Sequence, residues 1–145
     1  MNKGTLYVVG SPIGNLGDLS YRAVEILLSV DLIAAEDTRV TSILLKKYSI
    51  IKKCISYHEK NENIKFEKII DFLNSGNSVA LISDAGTPCL SDPGYKVVNA
   101  ARKLNVEVVS IPGPSSITAA LSISGLPSDH FYFEGFLPKK KGRKK

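Results

Sequence analysis

The segment Ser78-Val-Ala-Leu-Ile82, running directly into Ser83-Asp-Ala-Gly-Thr-Pro-Cys-Leu-Ser-Asp-Pro-Gly94, decides the fold. A short apolar run that stops in a polar loop punctuated by Gly and Pro reads as a buried strand feeding a turn. Asp92 and Pro93 have the chemistry of a helix start, an acidic cap followed by a proline in the first turn. In open α/β sheets, ligands collect at the carboxyl ends of strands, where such loops offer backbone donors without bulky side chains. An ordinary strand-to-helix turn accounts for the same residues, so this loop alone leaves both readings open.

Outward from it, the pattern repeats. Thr5 to Val9 is a strand pattern ending in Gly10-Ser-Pro-Ile-Gly-Asn-Leu-Gly17, and a helix begins near Leu19 with Ala23, Ile26, Leu27 and Val30 at helical spacing. A strand over 31–35 follows. Next come a helix over 38–48 with Ile43, Leu44 and Tyr48 on one face, a strand over 54–57 and a helix over 64–73. Beyond the opening loop, a helix over 95–104 leads to a strand over 106–111, then Pro112-Gly-Pro114 and a helix from Ser115-Ser116 whose apolar face packs easily. Phe131-Tyr-Phe133 starts a further β pattern. Alternating helices and strands joined by short turns predict an α/β domain, a largely parallel sheet flanked by helices. The expected domain occupies residues 1–125, and residues 126–145 form a connector leading to either a flexible basic tail or the opening of a second, truncated domain.

The chain has 145 residues, of which 43% are hydrophobic, enough for one core of ordinary size. Its formal charge of +5 is local, because Lys139, Lys140, Lys141, Arg143, Lys144 and Lys145 supply six positive charges and leave −1 elsewhere. A solvated tail and a phosphate contact both fit that run. Cys54 and Cys89 show neither metal-ligand nor disulfide-framework spacing, and His58 and His130 do not cluster with them. The expectation is reduced thiols, no metal, no secretion signal, no membrane span and a cytoplasmic location.

Three loops, 10–18, 83–94 and 112–116, follow strands that a parallel sheet would end at one edge, where together they could enclose a nucleotide-like ligand. Asp84, Thr87, Ser115 and Ser116 are hydrogen-bonding candidates, though each could instead cap a turn or helix. The glycines at 10, 14 and 17 do not form the dinucleotide fingerprint, and no P-loop is present. Ala35-Glu-Asp-Thr-Arg39 places a charged cluster at a strand end: Asp37 can cap a helix, and Arg39 can pair with a phosphate or with a neighbouring acid. In Tyr57-His-Glu-Lys-Asn-Glu62, His58 and Glu59 are acid–base candidates within what can equally be a solvated loop.

Read together, Val9-Gly-Ser-Pro-Ile-Gly-Asn-Leu-Gly-Asp18, Ala35-Glu-Asp-Thr-Arg39, Ser83-Asp-Ala-Gly-Thr-Pro88 with Ser91-Asp-Pro-Gly94, Ile111-Pro-Gly-Pro-Ser115 and Phe133-Glu-Gly-Phe-Leu-Pro138 resemble the signatures of the tetrapyrrole methylase superfamily, in its order. Within it, the Glu36-Asp-Thr-Arg39 and Phe136-Leu-Pro138 segments resemble the RNA-modifying branch. The resemblance implies methyl transfer from S-adenosylmethionine to the ribose 2′-hydroxyl of a cytidine in small-subunit (16S) ribosomal RNA, without a metal. It places the donor against Pro12, Asp84, Thr87, Ser115 and Ser116, with Ile13 and Ala85 as neighbours that could take over a contact. Glu36, Asp37 and His58 are the candidates for the base that assists the hydroxyl. Arg39, Lys139, Lys140, Lys141 and Arg143 are the candidate RNA contacts. A homodimer is implied by the same resemblance. Two other functions fit the sequence: a non-catalytic remnant or RNA-binding module, and a methyltransferase acting on a tetrapyrrole.

Overall fold

The computed structural model describes residues 3–137 and contains a five-stranded sheet with helices on both faces. In chain order the elements are β1 (Thr5–Val9), a 3-10 turn (Leu16–Asp18), α1 (Tyr21–Ser29), β2 (Leu32–Ala35), α2 (Thr38–Lys47), β3 (Cys54–Ser56), α3 (Glu62–Asn74), β4 (Val79–Ile82), α4 (Tyr95–Lys103), β5 (Glu107–Ile111) and α5 (Ser116–Ile123). The strand order is β3-β2-β4-β1-β5, and every pairing is parallel.

The central strands read as unbroken apolar runs because helices cover both sheet faces. All four residues of β2 and of β4 are buried. Alternation along β4 divides the core: Ala80 and Ile82 join Ala23, Leu27, Leu44 and Leu45 under α1 and α2, whereas Val79 and Leu81 join Ile69, Leu73, Val97 and Ala101 under α3 and α4. Local signals set the helix starts. Ser20 accepts from the Ala23 N–H at the start of α1, and Asp37 accepts from the Arg39 N–H at the start of α2, each satisfying a donor the helix leaves open.

Several expectations are corrected. On α2 the buried face is Thr41, Leu44 and Leu45, while Ile43 points outward at 62% exposure. The helix expected over 95–104 starts at Tyr95, but its capping position is held by Gly94 at φ 135° and not by Asp92. The helix expected over 64–73 extends to Glu62 and Asn74. Residues 131–137 form no strand. Phe133 and Phe136 line a hollow at the sheet edge instead of continuing a ladder. Finally, α5 buries none of its residues, so its apolar side chains add nothing to the core. Both faces of the sheet already carry two helices each, and α5 follows the edge strand. No helix among the described residues is long and apolar enough to cross a membrane.

Candidate active site

Parallel pairing puts all five strand ends, Val9, Ala35, Ser56, Ile82 and Ile111, at one edge. The three loops expected to converge there are stitched together. Ser11 and Gly86 exchange backbone hydrogen bonds of 2.9 and 3.2 Å, and the buried Ser11 hydroxyl donates to the Ser83 carbonyl at 3.0 Å. The Gly10 N–H donates to the Ile111 carbonyl at 2.9 Å, and the Gly10 and Gly113 backbones cross in contact. A Cβ on Gly10 would lie 2.7 Å from Gly113 N, and one on Gly113 would lie 2.9 Å from Gly10 Cα. Glycine is required here by the close approach of two backbones.

Two hollows flank the Ser11–Gly86 seam, and Ala85 lines both. One, about 190 Å³, is lined by Thr87, Asp92, Ser115, Ser116, Phe133 and Phe136, among others. The other, about 300 Å³, is lined by Pro12, Ile13, Val40, Thr41, Leu44 and Asp84, among others. The five residues expected to hold a donor are therefore divided, Thr87, Ser115 and Ser116 in the first hollow and Pro12 and Asp84 in the second. Ser115 occupies the capping position of α5 but makes no capping bond with its side chain.

Beside the second hollow the acids interlock. The Asp37 N–H donates to Asp84 Oδ1 at 3.1 Å, and the Asp84 N–H donates to Glu36 Oε2 at 3.0 Å. Burial raises the Glu36 pKa, opposed by the Asp84 N–H and reinforced by the negative charges of Asp84, Asp92 and Glu59. Burial likewise raises Asp84 and Asp92: the Asp37 N–H opposes it at Asp84, the Ser83 hydroxyl opposes it at Asp92, and the charge of a neighbouring acid reinforces it at both. Asp37 behaves oppositely. Arg39 grips it through Nε at 3.0 Å and Nη2 at 2.6 Å, and together with the Arg39 N–H lowers it to about 2. Of the two partners foreseen for Arg39, the neighbouring acid is the one present, yet its side chain is 89% exposed and open to a further anion.

Charge neutralisation at this cluster has a predictable sign. A carboxyl whose folded pKa lies above its unfolded value weakens the fold once both states are ionised, and that penalty vanishes below the unfolded pKa. Asp84→Asn keeps the acceptor for the Asp37 N–H while removing one charge. We expect thermal melts to show the variant at least as stable as the parent at pH 7, with any advantage fading toward pH 4. Lower stability at neutral pH would contradict this account of the cluster.

Glu36, Asp37, Arg39 and His58 line neither hollow, but Glu36 and Asp37 bond to the lining residue Asp84, whereas the His58 ring Nε2 lies 3.1 Å from the Asn61 amide within its own turn. The sequence reading missed a different member of that turn. Glu62 is buried, and its Oε1 accepts from the Tyr57 hydroxyl at 3.0 Å and from the Gly94 N–H at 3.1 Å. The loop it reaches is strained, with Cys89 at φ 74° and Ser91 at φ 58°, conformations that cost on the order of 1–3 kcal/mol each for residues bearing a Cβ. Burial, aided by the charges of Glu62 and Asp92, pushes the Cys89 thiol up to about 11. Lys139, Lys140, Lys141 and Arg143 lie outside the described residues. Among those described, no group of three or more His, Cys, Asp or Glu is placed to hold a metal ion.

Comparison with known proteins places this geometry. Uroporphyrin-III C-methyltransferase from Thermus thermophilus superposes with a TM-score of 0.65 over 88% of this chain and 55% of its own, at 23% identity, which speaks for the fold alone. Proteins described as ribosomal RNA small subunit methyltransferase I align over nearly the whole chain. The one from Vibrio cholerae is 55% identical over 140 residues, 96% of this chain and 49% of the relative. That from Escherichia coli O157:H7 is 50% identical, covering 99% and 50%, and that from Thermotoga maritima is 48% identical, covering 98% and 64%. The chain thus spans about half the length of the first two relatives. The pattern of the tetrapyrrole (corrin/porphyrin) methylases matches residues 5–144, and with the sheet order and loop seam just described, the chain belongs to that methylase family.

Proposed function

We propose that this chain forms one wall of an S-adenosylmethionine-dependent methyltransferase acting on the ribose 2′-hydroxyl of a cytidine in small-subunit ribosomal RNA. The observation that carries the reading is the pair of hollows joined at Ala85, one rich in hydroxyl and aromatic groups and the other lined by Asp84, to which Glu36 and Asp37 are tied by hydrogen bonds. The names of the relatives support the RNA substrate.

The residues fit the donor chemically. Thr87, Ser115 and Ser116 offer hydroxyls, Phe133 and Phe136 offer aromatic faces, and Asp84 and Asp92 offer carboxylates to a cationic ligand. S-adenosylmethionine supplies an electrophilic methyl group on a sulfonium. The chain's own residues then hold the donor at the Ala85 junction and bring the ribose hydroxyl to the Glu36 side of the second hollow, an alignment that lowers the barrier by proximity. Glu36 is the base in this reading. Its raised pKa makes it a better proton acceptor than Asp37, whose carboxylate is committed to Arg39. Arg39 presents its exposed guanidinium to the RNA backbone, and the basic run from Lys139 adds sequence-independent attraction.

A non-catalytic reading has one observation in its favour. Hollows of about 190 and 300 Å³ sit at or below the floor of the roughly 300–1,000 Å³ typical of ligand sites, so a second wall, from another chain or from further sequence, completes the donor site. Calorimetric titration of S-adenosylmethionine into the 145-residue chain, with its oligomeric state measured in the same sample, tests the proposal. Saturable binding is expected, followed by donor-dependent methylation of small-subunit RNA. Folded protein that gives no binding heat assigns this chain, by itself, to the non-catalytic class.

A further inference from the structure

We infer that Glu62 is a positioning residue for the donor hollow, holding the Leu90–Gly94 wall in shape from the first turn of α3. This rests on the proposed reading of that hollow as the donor site. Leu90, Ser91 and Asp92 all line it. None of them is held by a regular element, since the loop lies between β4 and α4. Its backbone is strained at Cys89 and Ser91, and the Cys89 N–H closes back on the Pro93 carbonyl at 3.3 Å. Left-handed conformations at residues with a Cβ persist where the surroundings over-determine them.

The surroundings here converge on one buried carboxylate. Pro93 has no N–H, so Gly94 carries the first donor after it, and that donor points at Glu62 Oε1. The same oxygen takes the hydroxyl of Tyr57, which is fully buried and whose own N–H is held by the Ala35 carbonyl at 2.7 Å. Lys96 Nζ lies 4.0 Å from the other oxygen, Oε2. Glu62 therefore ties the end of β3, the start of α3 and the start of α4 to one point. Space on the far side is closed, because a Cβ on Gly94 would lie 2.7 Å from Cys89 Sγ and 2.8 Å from Leu81 Cδ2. The loop is clamped between that packing and the carboxylate. Glu62 touches neither hollow, so it acts on the site only through the wall it holds.

The test separates positioning from general stability. Amide hydrogen exchange is measured on the ligand-free chain for Glu62→Met, which keeps the volume and removes both acceptors, for Glu62→Gln, which keeps an acceptor without the charge, and for Glu62→Asp, which keeps the charge but shortens the reach. Loss of a buried acceptor is expected to speed exchange over Leu90–Gly94 by roughly ten- to a hundredfold while β1 and β4 stay protected, and to weaken S-adenosylmethionine binding by a similar factor. Glu62→Gln should restore both readouts to within about twofold of the parent, since its amide oxygen still accepts from Tyr57 and Gly94. If Glu62→Met does not fold, Glu62→Asp carries the same comparison. Unchanged exchange in the loop, or exchange raised uniformly through the sheet, overturns the inference, as does a loosened loop with parental donor affinity. Should the parent chain itself bind no donor, the donor reading of the hollow fails while the exchange data still decide whether Glu62 holds the loop.

Discussion

Replacing Glu36 by Gln is expected to slow the proposed methyl transfer to small-subunit RNA by roughly 10²–10⁴-fold, the usual contribution of a positioned general base, while S-adenosylmethionine affinity stays within about twofold. The expectation comes from the electrostatics of the strand end. Burial and three acidic neighbours push Glu36 toward the protonated form, so when ionised it is a more basic carboxylate than Asp37, which Arg39 holds low. Gln preserves an acceptor for the Asp84 N–H, so the loop geometry survives the change. In the parent, the rate should rise with pH through the elevated Glu36 pKa and then level off, because the ionised form accepts the proton. Glu36→Gln should lack that limb. Single-turnover rates across pH, with donor affinity measured separately, decide the matter; a variant that keeps the parental rate removes Glu36 from the mechanism.

The largest structural effect is expected where two backbones cross. Gly10→Ala or Gly113→Ala inserts a methyl group 2.7 to 2.9 Å from main-chain atoms of the other loop, and neither neighbour is a flexible side chain that could swing away. Overpacking of this kind is expected to cost about 3 kcal/mol, near the top of the usual range. In a chain of this size that lowers the melting temperature by roughly 10 °C. The two substitutions fill the same gap, so their effects should not add. Donor binding should fall as well, since splaying the loops after β1 and β5 separates Pro12 from Ser115. Thermal melts of both single variants and the double variant test this, and a loss below about 2 °C in either single variant would mean that the crossing is looser than it stands here.

The sheet was legible because its central strands are covered on both sides, and such strands are written as uninterrupted apolar runs: Leu32–Ala35 and Val79–Ile82 needed no alternation to be found. The convergence of three loops followed from parallel pairing alone. Errors arose where apolarity and burial part company. Ile43, expected on the inner face of α2, points outward and Thr41 is buried instead, because the helix phase is fixed by where Leu44 and Leu45 meet the core and not by the hydrophobicity of each residue. Phe131 to Phe133 looked like a strand, yet a strand needs a ladder partner, and the segment instead places Phe133 against the hollow. The helix start at Tyr95 was legible, but Asp92-Pro93 looked like its cap, and Gly94 at positive φ holds that position instead. The division of the donor residues between two hollows, and the burial of Glu62 against Tyr57, depend on contacts between distant segments that no local pattern encodes. In the Tyr57–Glu62 stretch, sequence favoured His58 and Glu59 for their chemistry, while the fold buried the last acid.

The strand order carries a consequence for how the protein comes into being. β1 is the first strand to be synthesised, but its neighbours are β4 and β5, so Leu6 must wait for Val79 and Thr5 for Glu107. Pairings between residues so far apart in sequence make assembly slow and dependent on the late part of the chain. A nascent polypeptide that has not yet passed Ile82 holds β2 and β3 as its only adjacent strands, with the apolar residues of β1 uncovered. The second hollow draws its whole lining from residues between Ser11 and Ala85 and can form once β1 pairs with β4, whereas the first also takes Ser115, Ser116, Phe133 and Phe136, so the two halves of the site are completed at different chain lengths and the hydroxyl-rich half comes last.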